Sequence, residues 1–186
     1  MLGMAWRVGM VGLVMFLLAP SLSQADEIRL NSIGIRGGAT GSSPIGDLET
    51  QYFQYYDLMA NVALPWSWYS ESEWGISTRI MGTVGAITAS GDTAFVTSLT
   101  PGIVLGKKNG WISVEFGAGG ALISQHHYTT QNMGGIFQFV ADMGVRAKVY
   151  EGFGVGYWFH HMSDAGLYGP DCHGADFHMI EFSYRF

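Results

Sequence analysis

Apolar residues recur at every second position along most of this chain, a period that sends alternate side chains to opposite faces of a β-strand. From Trp111 to Leu122 the even-numbered positions are mostly apolar. From Phe137 to Val149 the odd-numbered positions are apolar, and the opposite face carries Asp142, Arg146 and Lys148. The alternation predicts eight strands, at Glu27–Gly37, Tyr52–Leu64, Trp74–Ala86, Ala94–Leu105, Trp111–Leu122, Phe137–Val149, Gly152–Ser163 and Phe177–Phe186.

Strands of ten or more residues with one apolar face are typical of a barrel that crosses a membrane, with lipid outside and polar groups inside. Eight strands enclose only enough space for side chains. We therefore predict an all-β, eight-stranded antiparallel transmembrane β-barrel with a polar, filled interior. The charged residues expected to form ion pairs there are Asp57, Arg79, Glu115, Asp142, Arg146, Lys148, Glu181 and Arg185.

The composition favours this barrel over a soluble one. Hydrophobic residues make up 48% of the chain and charged residues only 13%, about half the charged share of a typical soluble domain. A soluble barrel would turn its apolar face inward and leave very few charges on its surface. Beyond residue 25, eight Lys/Arg face fifteen Asp/Glu, so the domain lacks the basic footprint of a nucleic-acid-binding protein.

Residues 1–25 read as a secretory signal peptide, with Arg7, an apolar run and small residues before a cleavage point after Ala25. This leaves residues 26–186 as an outer-membrane β-barrel domain in the bacterial cell outer membrane. With both ends of the barrel in the periplasm, turns are expected near 65–73, 106–110 and 150–152. Outer loops are expected near 38–50, 88–93, 124–135 and 164–176. Both a single barrel and a homodimer are compatible with this pattern.

Three residues that could form a catalytic group share the lipid-facing side of the last two strands. By alternation His161 and Ser163 point outward, whereas His160 points inward. Extending the apolar face of the last strand backward puts Asp176 on the same side, where a hairpin partner can reach His161. A rise of ~3.3 Å per residue and a tilt of ~45° put His161 roughly 19 Å above Phe153, near the outer-leaflet interface. A carboxylate, an imidazole and a hydroxyl are the parts of an activated serine nucleophile.

The segment Phe159–Leu167, followed by Pro170–Asp171 and Gly174–Asp176, resembles the lipid A 3-O-deacylase (PagL) family. The resemblance implies an outer-membrane serine esterase that removes the 3-linked acyl chain of lipid A, the lipid part of lipopolysaccharide. It implies that no metal or other cofactor is needed. It also implies that His161 is the general base and Ser163 the nucleophile.

The resemblance assigns the place of the family's acid to Asp176, where the best-known form has glutamate. Asp164 and Asp171 stand where asparagines are usual, and Asp164 is expected near the oxyanion pocket. Backbone N–H groups of Ala165 and Gly166 are expected to stabilise the oxyanion there.

Three other readings compete with the esterase. A non-enzymatic small barrel of the OmpA/OmpX kind needs only the strands, and leaves the His, Ser and Asp unexplained. A lipid A palmitoyltransferase needs an apolar cavity inside the barrel, which the predicted interior charges disfavour. All six histidines and Cys172 lie in or near outer loops, but their spacing fits no zinc pattern. We therefore predict no metal site, and the alternative is a divalent cation near Asp164, Asp171 and Asp176 at the anionic phosphates of the lipid.

Overall fold

The computed structural model describes residues 27–43, 51–170 and 172–186, so the predicted signal peptide and Asp171 lie outside the described residues. Eight strands form one closed barrel in which every strand pairs antiparallel with its neighbours in sequence, and β1 pairs with β8. The strands are β1 Arg29–Thr40, β2 Gln54–Tyr69, β3 Trp74–Ala89, β4 Asp92–Lys107, β5 Ile112–Ile123, β6 Phe137–Tyr150, β7 Phe153–Ser163 and β8 Ala175–Arg185. The predicted architecture is confirmed, and no helix in the described ranges is long and apolar enough to span a membrane.

Several strands extend beyond their predicted ends. The turn predicted at 65–73 begins only after Tyr69, because β2 continues past Pro65. Proline has no backbone N–H for the ladder, and the β2–β3 register shifts between Ala63 and Ser67 to accommodate it. The loop predicted at 88–93 consists only of Ser90 and Gly91, because β3 and β4 pair as far as Ala89 and Asp92.

The outer surface of the barrel is apolar, as the alternation predicts. Leu58, Phe95, Leu99 and Phe182 are each more than half exposed, which is the arrangement expected of side chains that contact lipid. Aromatic residues cluster at the end that carries the β2–β3, β4–β5 and β6–β7 turns, and the exposed members are Trp66, Trp68, Trp111 and Tyr150. They fit an aromatic girdle at the periplasmic boundary.

A fully buried ion group occupies the middle of the barrel. The Arg36 guanidinium donates to both carboxylate oxygens of Asp57, at 3.0 and 2.6 Å, and lies 3.5 Å from Asp142. His160 donates from Nδ1 to Asp142 at 2.7 Å. The predicted interior carboxylates Asp57 and Asp142 are therefore present in an ion-paired interior, but their main cation is Arg36, which the prediction omitted.

A second ion group lies next to it, toward the periplasmic end. Arg79 donates to Glu115 at 2.7 Å, and Arg146 lies 3.0 Å from Glu115 and 2.7 Å from Glu181. Trp158 donates from its indole N–H to Glu181 at 2.6 Å. These charged residues form the ion-paired interior that the sequence predicts.

Two predicted members of the ion-paired interior are placed elsewhere, and this part of the prediction is wrong. Lys148 is exposed near the periplasmic end of β6. Arg185 donates to the carbonyl oxygen of Lys108 at 3.3 Å. Within the described ranges neither lies at ion-pair distance from a carboxylate. Both side chains are on the inner face, but at a height where the barrel opens to water.

The interior is only partly polar, whereas the sequence predicts a polar interior throughout. Its outer third is a packed apolar and aromatic core that includes Phe53, Tyr55, Ile87, Met133 and Phe177, each with no exposed surface. Phe53 and Tyr55 both contact Phe177 edge to face, with ring centroids 6.4 and 5.3 Å apart. Because side chains fill this part of the interior, the packed core supports the ends of β7 and β8 that carry His161 and Asp176.

Candidate active site

The pairing of β7 with β8 brings the predicted catalytic residues together. His161 lies directly opposite Asp176 in the antiparallel register, so their side chains leave the same face of the sheet. Ser163 is two residues beyond His161 and shares that face. Asp176 belongs to β8 rather than to the outer loop predicted at 164–176, because β8 begins at Ala175.

The three side chains form a continuous hydrogen-bonded chain. His161 donates from Nδ1 to Asp176 Oδ1 at 2.5 Å, and its Nε2 accepts from the Ser163 hydroxyl at 3.0 Å. The Asp176 carboxylate is completely buried, whereas the His161 side chain keeps 18% of its surface exposed. A buried carboxylate that fixes the imidazole, with the second ring nitrogen facing a half-buried hydroxyl, is the geometry that activates serine.

A residue that follows β1 contacts the carboxylate. Ser43, three residues after β1 ends, donates from its hydroxyl to Asp176 Oδ2. Gly174 allows the approach on the other side, since a Cβ there would lie 2.7 Å from the Met162 carbonyl oxygen and 2.9 Å from Ser163 Cβ. Both oxygens of Asp176 are thus held, which fixes the shorter aspartate side chain in reach of His161.

A second polar pair lies on the same outer face, one step deeper in the barrel. Tyr157 donates to Nδ1 of His178 at 2.5 Å, and His178 donates from Nε2 to the Ser42 carbonyl oxygen at 2.9 Å. The His178 ring also contacts Phe159 edge to face at 5.7 Å. His178 therefore fastens the same loop that supplies Ser43. Alternation predicts that His178 faces outward, but gives no sign of the loop contact.

The residues predicted to support an oxyanion differ in whether their N–H groups already form hydrogen bonds. The Asp164 carboxylate is buried and accepts the backbone N–H groups of Gly166 at 3.1 Å and Tyr168 at 3.0 Å. It therefore caps the turn after β7, and the Gly166 N–H is already bonded. The Ala165 N–H forms no hydrogen bond within the described residues, and Ala165 has a φ of 50°. Asp171 lies outside the described residues.

The structure separates the two adjacent histidines, which gives a direct test of their roles. His160 is fully buried and packs against Tyr55, with ring centroids 5.3 Å apart. We expect His160→Gln to keep the rate of ester hydrolysis per folded molecule within about threefold of the native rate, and His161→Gln to lower it at least about 10³-fold. Rates measured on refolded protein, normalised to the folded fraction, check this. Equal losses in both variants would contradict the assignment.

The sequence matches one protein family over most of its length. Residues 54–185 match the family described as lipid A 3-O-deacylase (PagL). The chain belongs to this family. The match covers the segment that carries His161, Ser163 and Asp176, so the resemblance noted from the sequence is confirmed.

Solved structures similar to this barrel include two outer-membrane proteins. One is described as the crystal structure of the outer membrane enzyme PagL, with a TM-score of 0.67 and 23% identity over 83% of this chain and 99% of that one. The other is the Yersinia pestis outer membrane protein Ail in a phospholipid bilayer nanodisc, with a TM-score of 0.44 and 13% identity over 85% and 100%. At these identities the first supports the fold alone, and the second carries no further argument. No curated protein matches the sequence.

PagL family membership and the shared barrel assign the protein to the outer membrane and to the lipid A deacylases, a class of ester hydrolases. In this PagL-family chain the carboxylate that contacts His161 is Asp176. The Ser43 contact and the close approach at Gly174 hold its side chain in place.

Proposed function

We propose that the protein hydrolyses the 3-linked acyl ester of lipid A with Ser163 as nucleophile, His161 as general base and Asp176 as the orienting acid. The hydrogen-bonded chain from Asp176 through His161 to Ser163 carries the proposal. Its position on the lipid-facing side supports a membrane substrate, because the ester groups of an outer-leaflet lipid lie at this height. A polar group facing lipid is costly and is therefore kept for a function.

In the first step, Ser163 Oγ attacks the ester carbonyl carbon while its proton moves to His161 Nε2. The charge that develops on the carbonyl oxygen needs a nearby N–H donor, and the Ala165 N–H is the candidate. The tetrahedral intermediate collapses as the C–O bond to the sugar breaks. The sugar oxygen takes the proton from His161 and leaves as the 3-hydroxyl, and the acyl chain stays on Ser163.

In the second step, water enters the site beside the exposed edge of His161. His161 Nε2 takes a proton from that water, whose oxygen attacks the acyl carbon. The Ser163 oxygen recovers a proton from His161 as it leaves, and the free fatty acid is released into the bilayer. Asp176 stabilises the imidazolium in both steps without taking its proton.

The proposal predicts a specific change in lipid A. Expression in the outer membrane of a host whose lipid A is fully acylated should remove one hydroxyacyl chain, visible as a single mass loss in lipid A by mass spectrometry. Fragmentation of the product should show a free hydroxyl at a 3-position of the lipid A sugar backbone. Loss of a chain from another position would disprove the proposed regiospecificity. Unchanged lipid A from folded protein would disprove the esterase.

A further inference from the structure

The basic residues of the barrel are gathered at one end. Of the eight Lys and Arg residues between Glu27 and Phe186, all except Arg36 line a single cavity of about 570 Å³. This cavity opens at the end that carries Arg29 and Arg185, the first and last residues of the strands, opposite the end that carries the candidate active site. The positive charge of the described domain is therefore concentrated around this one cavity.

Most of these cations are not neutralised by the protein. Arg79 and Arg146 form ion pairs with Glu115 and Glu181. The other five cavity cations lie beyond ion-pair distance from any carboxylate in the described ranges, and they are Arg29, Lys107, Lys108, Lys148 and Arg185. Glu151 is the one remaining acidic side chain among the lining residues. The cavity therefore carries a clear excess of positive charge.

Arg79, at the inner end of the cavity, carries hydrogen-bond donors that the protein leaves unsatisfied. Arg79 is buried, and its Nη1 and Nη2 atoms make no hydrogen bond within the described part of the chain. Buried guanidinium groups usually satisfy their N–H donors, and two planar N–H groups suit the oxygens of a phosphate. Low-dielectric walls lined by one sign of charge strengthen the attraction for an ion of the opposite sign.

We propose that this cavity, the periplasmic vestibule, binds a multivalent phosphate-bearing anion. The volume lies within the range of small-molecule sites and exceeds that of pyrophosphate. Two sources have the required chemistry: a soluble phosphorylated anion of the periplasm, and the headgroup of an anionic phospholipid in the inner leaflet at the rim. The proposed binding is independent of the deacylase reaction, because the vestibule and Ser163 lie at opposite ends of the barrel.

Pyrophosphate is the probe for this site. We expect isothermal titration calorimetry of the folded protein in zwitterionic micelles to show saturable binding with one site per barrel, weakened by added salt. Lys148→Gln and Lys107→Gln should each lower the affinity about threefold or more. Absence of saturable binding, or affinities that these two substitutions leave unchanged, would overturn the proposal.

A matched pair of acidic residues separates local from overall charge effects. Glu151 lines the vestibule, whereas Glu71 is exposed in the β2–β3 turn and does not line it. Both substitutions to glutamine remove one negative charge from the protein. Glu151→Gln should tighten pyrophosphate binding about threefold, and Glu71→Gln should leave it unchanged. Equal effects in the two variants would show a general charge effect and reject a site.

The same titration in nanodiscs identifies the source of the anion. If pyrophosphate affinity falls as phosphatidylglycerol replaces phosphatidylcholine, the vestibule binds a phospholipid headgroup. If affinity is independent of the anionic lipid, it binds a soluble phosphate. Both results support binding of a phosphate-bearing anion in the vestibule, and the heat-modifiable migration of each variant on electrophoresis confirms that its barrel is folded.

Discussion

Replacing Ser163 with alanine is expected to lower the rate of lipid A deacylation by about 10⁴-fold or more, while the barrel stays folded. The hydroxyl oxygen of Ser163 is the atom that would bond to the acyl carbon. Alanine has no hydroxyl proton for His161 to accept. The Ser163 side chain faces outward at the end of β7 and its one described side-chain bond is to His161, so its loss should cost little stability. Release of fatty acid from lipid A in mixed micelles, measured against time, provides the rate.

A matched control is Ser90→Ala, the same substitution at an exposed serine in the β3–β4 turn at the same end of the barrel. Ser90 accepts a hydrogen bond from Gln51 at 2.5 Å but contacts none of the three candidate residues. Its rate should remain within about twofold of the native protein. Undiminished deacylation by Ser163→Ala would show that another group attacks the ester.

Asp176→Asn extends this first prediction to the acid. The amide is similar in size, but it cannot stabilise an imidazolium, and its NH₂ group favours the wrong tautomer of His161. We expect deacylation to fall on the order of 10³- to 10⁴-fold. Recovery of part of the rate in Asp176→Glu would indicate that the carboxylate charge, rather than the fit of the shorter side chain beneath Ser43, is decisive.

Replacing Arg36 with methionine is expected to lower the free energy of unfolding by about 3–5 kcal/mol. The side chains of Arg36, Asp57 and Asp142 have no exposed surface. Methionine would fill a similar volume but would leave Asp57 buried without its cation, and Asp142 with His160 alone. Urea unfolding in lipid vesicles, followed by tryptophan fluorescence, measures the change.

Arg29→Met is the control for this second prediction, because Arg29 begins the same strand but is exposed and outside the central ion group. Its effect should stay within about 0.5 kcal/mol. The double variant Arg36→Met, Asp57→Leu should recover much of the lost stability, since it removes both members of the closest pair. Equal effects of Arg36→Met and Arg29→Met would mean that the central ion group contributes no net stability.

The alternation of apolar residues predicts which face a side chain occupies, and this was sufficient for the site. Parity alone predicts that His161, Ser163 and Asp176 share one outer face, and the structure brings them into contact. Parity does not give height along the barrel. Arg146 and Lys148 share a face, yet Arg146 is paired inside and Lys148 is exposed at the mouth.

Other features depend on contacts that a single sequence does not display. Phe53, Tyr55 and Phe177 fill the outer third of the interior, where both faces of the strands are apolar and alternation cannot tell core from lipid. The pattern does not predict Arg36 as an interior cation, because the register of β1 is irregular between Leu30 and Ser32 and this obscures the alternation. Ser43 reaches Asp176 across 133 residues of chain, and only the closed fold makes them neighbours.

That last contact links chemistry to assembly. His161 and Asp176 meet within the β7–β8 hairpin. Ser43 follows β1, so it can reach Asp176 only after β1 has paired with β8. An open sheet would lack this hydrogen bond to the carboxylate. A chain whose barrel has not yet closed would therefore be a poor hydrolase. The β1–β8 pairing that closes the barrel would also complete the active site once the protein is in the outer membrane.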